Sequence, residues 1–187
     1  MIVPKQRKNH ASSSDILRLA VRRFMSDTAS TSADEGGRAN GVEQVIETIW
    51  KSVALVISDS LLYFNRGVRI ESLGTFSLDA KRRPQFFFAH EFAARHRLLK
   101  YNAHAGACLA GGSVNTRLNI TRVAAVAGRP RPEIERVIDA VLRSLNQRLN
   151  TGKSVTLSFY PVAELSCVPG DHARLRYLSA FGAKHKK

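Results

Sequence analysis

Apolar positions recur along this chain with two different periods, and the places where the period changes outline its elements. From residue 42 to 64, Val45, Ile46, Ile49, Val53, Val56, Ile57, Ser60, Leu61 and Phe64 fall three and four apart, the spacing of one helical face. Asn65, Arg66 and Gly67 end this helix, with Gly67 suited to a left-handed cap. Val68, Ile70 and, after a polar pair, Leu73 then alternate with polar neighbours. This predicts a strand over residues 68–78 in which Gly74 marks a bend or a close approach of another backbone. Residues 79–84 (DAKRRP) read as a short charged turn, 85–88 as an aromatic strand, and 91–99 as a helix with Phe92 and Leu99 inward. Phe86, Phe87 and Phe88 are consecutive, so they cannot all face one side of a strand. Either the sheet is covered on both faces or a partner covers one; the N-terminal segment is an alternative cover.

The flanking pattern suggests a duplication. Ile16, Leu17, Leu19, Ala20 and Phe24 share a face over residues 15–24, and the Ser/Thr/Asp/Gly-rich stretch 26–41 reads as a loop. Residues 102–116 are rich in Ala, Gly and Ser, lack acids, and read as a linker. Beyond them the plan repeats. A short helix over 118–127 carries Ile120, Val123 and Ala124, and Gly128, Arg129 and Pro130 punctuate. Pro132 suits the first turn of a longer helix bearing Ile134, Val137, Ile138, Val141, Leu142, Leu145 and Leu149. Asn150, Thr151 and Gly152 close it as Asn65 to Gly67 closed the first. Val155, Leu157 and Phe159 alternate, 161–168 form a further strand, Pro169-Gly170-Asp171 a turn, and Leu175 and Tyr177 a last strand. The expected organisation is a basic N-terminal tail (1–13), one α+β unit (14–101), a linker (102–117), a second unit (118–182) and a basic C-terminal tail (183–187).

Charge narrows the partners. The chain has 187 residues, 44% hydrophobic, with a net charge of +14, enough apolar content for a core and a balance that favours an acidic partner. Nucleic acid, an anionic membrane and an acidic protein surface all qualify. Cys108 and Cys167 stand far apart without a C-x-x-C pair or a His cluster, which argues against zinc and for a reducing compartment. No apolar run approaches a membrane span. Lys5, Arg7, Lys8, Arg18, Arg22 and Arg23 against Asp15 also describe a mitochondrial transit peptide; the first helix of the domain is the favoured reading.

The motifs resemble a known fold. Leu73-Gly74-Thr75-Phe76 after a long helix resembles the G-x-G-x-F strand of the bacterial HU and integration-host-factor fold, with Ser72 where the family often has its first glycine. The sharper resemblance is to eukaryotic tandem HU-like domains at the N-terminus of a family of coiled-coil-named centrosomal and ciliary proteins. It rests on Arg83-Pro84-Gln85-Phe86 with Phe92, on Arg95-His96-Arg97-Leu98, on Leu118-Asn119, and on Arg176-Tyr177 with Phe181. The resemblance implies an α+β fold of two tandem HU/IHF-like domains, each a helix pair with a short antiparallel sheet. Bacterial HU proteins extend long basic arms tipped by a wedging proline. Here the matching turns are the short residues 79–84 and the barely basic Pro169-Gly170-Asp171-His172. The fold is therefore expected without the DNA-kinking device.

The candidate binding residues are Lys81, Arg82 and Arg83 on the turn, Arg95, Arg97 and Lys100 around the third helix, and Arg129 and Arg131 at the second helix junction. The first group could contact phosphates or a Glu-rich surface, or could be a solvated turn guarding a sheet edge. His90, His96, His104 and His172 lack the spacing of a metal or catalytic site, and Gly111-Gly112-Ser113 lacks the strand and Lys of a phosphate loop. The expectation is a non-enzymatic architectural protein needing no cofactor and no membrane. It would dock on an acidic protein surface, tubulin or another axonemal protein, in a ciliary or flagellar axoneme or centrosome. The alternative is a nucleic-acid binder of DNA or rRNA, in a mitochondrion. An internal pairing of the two HU-like halves is a further possibility.

Overall fold

The computed structural model describes residues 10–28, 35–102, 114–179 and 181. Residues 1–9 and 183–187 of the expected tails, Cys108, His104 and Gly111-Gly112-Ser113 lie outside the described residues, whereas residues 10–13 of the expected N-terminal tail are a strand and the start of a helix. The fold is mixed α+β, and its element order repeats. Strand β1 (His10–Ala11) precedes helices α1 (Ser13–Thr28) and α2 (Glu35–Leu62), strands β2 (Arg66–Ile70), β3 (Gly74–Leu78) and β4 (Pro84–Phe88), and helix α3 (His90–Arg95). Then come β5 (Val114–Arg117), helices α4 (Ile120–Ala127) and α5 (Arg131–Asn150), and strands β6 (Ser154–Phe159), β7 (Ala163–Cys167) and β8 (Ala173–Tyr177).

Each half completes the other. The sheets run β1-β6-β7-β8 and β4-β3-β2-β5. The opening strand of the first half, β1, lies parallel to β6 of the second. The opening strand of the second half, β5, lies parallel to β2 of the first, with Gly67 opposite Asn115. The helices cross in the same reciprocal way: α1 packs chiefly on α5, and α4 on α2. The two halves therefore share one apolar interior. Phe76 of β3 stands edge-on to Phe159 of β6 at 5.2 Å, and Phe159 meets Trp50 of α2 at 5.1 Å. Full burial of side chains of this size contributes about 1.5–3 kcal/mol each, and here it falls due only when both halves are in place.

Local chemistry accounts for the elements. Ser12 and Asp15 form a capping box at α1: the Ser12 backbone N–H donates to Asp15 Oδ2 at 2.9 Å, and Asp15 N–H returns to Ser12 Oγ at 3.4 Å. Asn119 caps α4 by accepting from Arg122 N–H at 3.0 Å, and Gly128 ends it in the left-handed region. The outer edge of β6 is closed past β1 by side chains. Ser13 Oγ donates to Thr156 O and accepts from Ser158 N–H, while Trp50 Nε1 donates to Ser158 O at 2.9 Å.

Several expected boundaries move. The single strand over 68–78 is two strands, because the polar pair Glu71-Ser72 is a turn in which Ser72 takes φ 64°. Gly74 opens β3 where a Cβ would strike the Phe87 carbonyl. Asn65 (φ 49°), not Gly67, holds the left-handed position after α2; Gly67 is buried inside β2. The 26–41 loop is shorter than expected, since α1 runs to Thr28 and α2 starts at Glu35. The third helix stops at Arg95, leaving Leu99 77% exposed while Leu98 goes inward. Phe64 lies outside rather than on the core face, with the Arg122 guanidinium over its ring. Residues 114–117, expected in the linker, form β5, and the seventh strand starts at Ala163 rather than 161. Of the phenylalanine run, Phe86 and Phe88 are buried and Phe87 is half-exposed on the other face.

Candidate functional site

The two hairpin tips that correspond in the repeat differ in chemistry. The β3–β4 tip is held by its own aspartate. Asp79 Oδ1 accepts from Lys81 N–H at 2.9 Å and Arg83 N–H at 2.7 Å, and Arg83 Nε donates to Asp79 Oδ2 at 2.6 Å. Arg82 N–H donates to Asp79 O, with Arg82 at φ 59°. The Arg83 backbone N–H, first among these contacts, holds the Asp79 carboxyl below its usual 3.8. Arg83 is thus engaged by an acid, whereas the exposed Lys81 and Arg82 side chains form no ion pair among the described residues.

The β7–β8 tip is tied down by the segment that follows α3. Gly170 N–H donates to His96 O at 3.0 Å, and Leu99 and Lys100 N–H both donate to Asp171 O at 2.8 and 3.0 Å. Ala173 N–H donates to Lys100 O, and the buried His96 ring meets Asn146 of α5 at 2.7 Å. Burial holds the His96 pKa below 6.5, against an opposing pull from the Asn146 bond. Arg97 (φ 52°) and Lys100 are exposed on the outside of this strap.

The eight expected cations do not converge. Lys81, Arg82 and Arg83 share one tip, and Arg97 and Lys100 lie on the strap over the other. Arg95 joins Arg23 and Arg143 around Asn146, Gln147 and Asn150, where Arg23 Nη2 donates to Gln147 Oε1 at 2.6 Å. Arg129 follows the α4 cap, and Arg131 is paired to Glu135 at 2.8 Å in a cleft shared with Arg69 and Arg117. Sequence reasoning passed over Arg174 and Arg176, which are exposed on β8. Their alternation with Ala173, Leu175 and Tyr177 was a readable period-two signal.

Buried polar groups elsewhere serve packing. Tyr177 OH donates to Gln85 O at 2.6 Å, linking β8 to β4, and burial raises its pKa. Burial pushes the Cys167 thiol up to about 12, which makes it inert as a thiolate near neutrality. Among the described residues no cluster of His, Cys, Asp or Glu is placed to hold a metal, and no helix is long and apolar enough to cross a membrane.

Helix pairs over short, mostly antiparallel sheets, with cations on hairpin tips and strand faces, make this a basic α+β protein. Residues 114–181 match the family model described as CCDC81 eukaryotic HU domain 2. Over that segment, which begins at β5, the chain is similar to an HU-like domain of that family. No curated protein matches the chain.

Proposed function

We propose that the chain is an internal pair of HU-like units that acts as a non-enzymatic architectural subunit, docking through its cationic surface onto an acidic, microtubule-based assembly such as an axoneme or centrosome. The observation that carries this reading is the state of the hairpin tips. One is a few residues long and folded onto Asp79; the other is strapped by residues 96–100. Neither extends as a ribbon around a duplex, the geometry that minor-groove benders use. Reciprocal strands β1 and β5 and the crossed helices support the internal pairing. A net charge of +14 supplies complementarity to surfaces rich in Asp and Glu, such as tubulin.

Nucleic-acid binding is the second reading, favoured by the same charge together with the HU-like match. Cosedimentation separates the two. The full chain is expected to pellet with microtubules and to stay in the supernatant with duplex DNA at matched ionic strength. Duplex binding with a steep log-log salt slope, reporting several released counterions, together with no microtubule pelleting, reverses the assignment.

A further inference from the structure

A groove runs along the last two turns of α5, between α1 and α3. Two consecutive amides on α5 hold its walls. Asn146 Nδ2 donates to Leu142 O at 2.9 Å, which fixes the amide, and Asn146 Oδ1 meets the buried His96 ring at 2.7 Å. That contact seats the end of α3 and brings the neighbouring Arg95 to one wall. Gln147 Oε1 accepts from Arg23 Nη2 at 2.6 Å, which seats α1 and puts Arg23 on the other wall. Residues three and four apart share a helix face, so Arg143 and Asn150 join the two amides on the floor.

Guanidinium groups from three helices thus surround one groove of about 470 Å³. All of its lining side chains are polar and none is acidic. Arg143 Nε pairs with Asp139 on its own helix at 2.8 Å, yet the Arg143 side chain stays 65% exposed. Arg23 and Arg95 form no ion pair among the described residues, and Arg23 Nε is buried without an acceptor. A guanidinium carries several N–H donors and no acceptor, so the groove holds more donors than its own residues satisfy. Outside the described residues the sequence holds one acid, Asp34, in the connection from α1 to α2.

Cations near a helix C-terminus ordinarily serve its carbonyl dipole. Here those carbonyls already have donors. Thr151 N–H bonds to Gln147 O at 3.2 Å, Thr151 Oγ1 donates to Arg148 O at 2.8 Å, and Gly152 N–H bonds to Leu149 O at 2.9 Å. The arginines are left for a ligand of opposite charge.

We propose that this groove binds a phosphorylated serine or threonine side chain of a partner protein. A phosphate monoester carries nearly two negative charges and three acceptor oxygens, one for each guanidinium, whereas a carboxylate offers two oxygens in one plane. Planar arginine forks bond such oxygens in pairs. The groove is larger than one phosphoryl group, which leaves the Asn150 amide and Gln147 Nε2 for the carbonyls of the residues on either side. Its polar lining offers nothing to an acyl chain, which sets a lipid headgroup aside. The inference gives the docking reading a partner chemistry and rests on that reading.

The test uses the full chain and a fluorescein-labelled Gly/Ala peptide with one phosphoserine, followed by anisotropy at fixed ionic strength. The phosphopeptide is expected to bind, its serine form not to bind, and its glutamate form to bind about tenfold more weakly or worse. Arg95→Gln/Arg143→Gln should weaken the phosphopeptide by about tenfold or more with an unchanged circular dichroism melt, since both side chains are exposed. Arg174→Gln/Arg176→Gln, which removes the same charge from β8, should leave binding as it was. Equal losses in the two double variants reduce the effect to net charge and overturn the site. Equal binding of the phosphoserine and glutamate forms overturns the phosphate assignment. No binding of any form overturns it too, as does displacement of the peptide by equimolar inorganic phosphate or duplex DNA. Pelleting with microtubules, measured in parallel, keeps the failures apart: a chain that pellets without binding the phosphopeptide has lost this groove alone, and one that does neither has lost the docking reading as well.

Discussion

His96 is buried where the strap from α3 crosses α5, and its ring meets Asn146. The folded state holds its pKa below 6.5, so the unfolded chain binds the extra proton first as pH falls. Stability is therefore complete above about pH 6.5 and declines as pH drops below it. Asp15 is held low chiefly by the Ser12 backbone N–H and Asp79 by that of Arg83; their contributions are lost only below 3.8. Thermal melts should show a lower midpoint at pH 5 than at pH 7, with His96→Gln flattening that difference; an unchanged difference in the variant assigns the effect elsewhere. The sequence showed His96 as one of several scattered histidines. Its burial depends on a residue fifty positions away, which no local pattern encodes. The Ser12–Asp15 cap, by contrast, joins partners that are near neighbours in the chain.

At the scale of elements, period and punctuation located the long helices well, because apolar stripes over many turns tolerate local exceptions. Short strands were less secure. The turn at residues 71–73 hid inside an alternating run, since one hairpin strand and its return share the same period. β5 was hidden altogether: Val-Asn-Thr-Arg is polar, and Val114 is 73% exposed. It is a strand because β2 offers it a ladder, with Thr116 Oγ1 adding a bond to Gly67 O at 3.2 Å. That docking requires a glycine at 67, where a Cβ would strike the Asn115 side chain and come within 2.9 Å of Phe76 O. Gly67→Ala should destabilise the protein by about 1–3 kcal/mol, the usual range for overfilling a packed site. Urea titration measures the loss. Hydrogen exchange should show protection vanishing first at Thr116 and Leu118, whose N–H groups face β2, and retained protection there would contradict the role assigned to Gly67.

For the molecule as a whole, the question is whether the halves are beads on a string or parts of one body. The reciprocal exchange of β1 and β5, the crossed helices and the Phe76–Phe159 contact make the core common to both. Residues 114–187 alone would lose the β1, α1 and Trp50 cover of β6, exposing that edge and much of the α5 face. Expressed by itself, this half should be unfolded or should self-associate, whereas the full chain should melt in one transition. Calorimetry and sizing decide it: a monomeric half with its own sharp transition would mean the units are independent. Local sequence determined the helices, their caps, most strands and the surplus of positive charge, because these follow from residues a few positions apart. Tertiary structure alone decided which half supplies each edge strand and which hairpin tip stays free. Those outcomes depend on long-range partners, and a backbone hydrogen bond carries no signature of its partner in the residue that makes it.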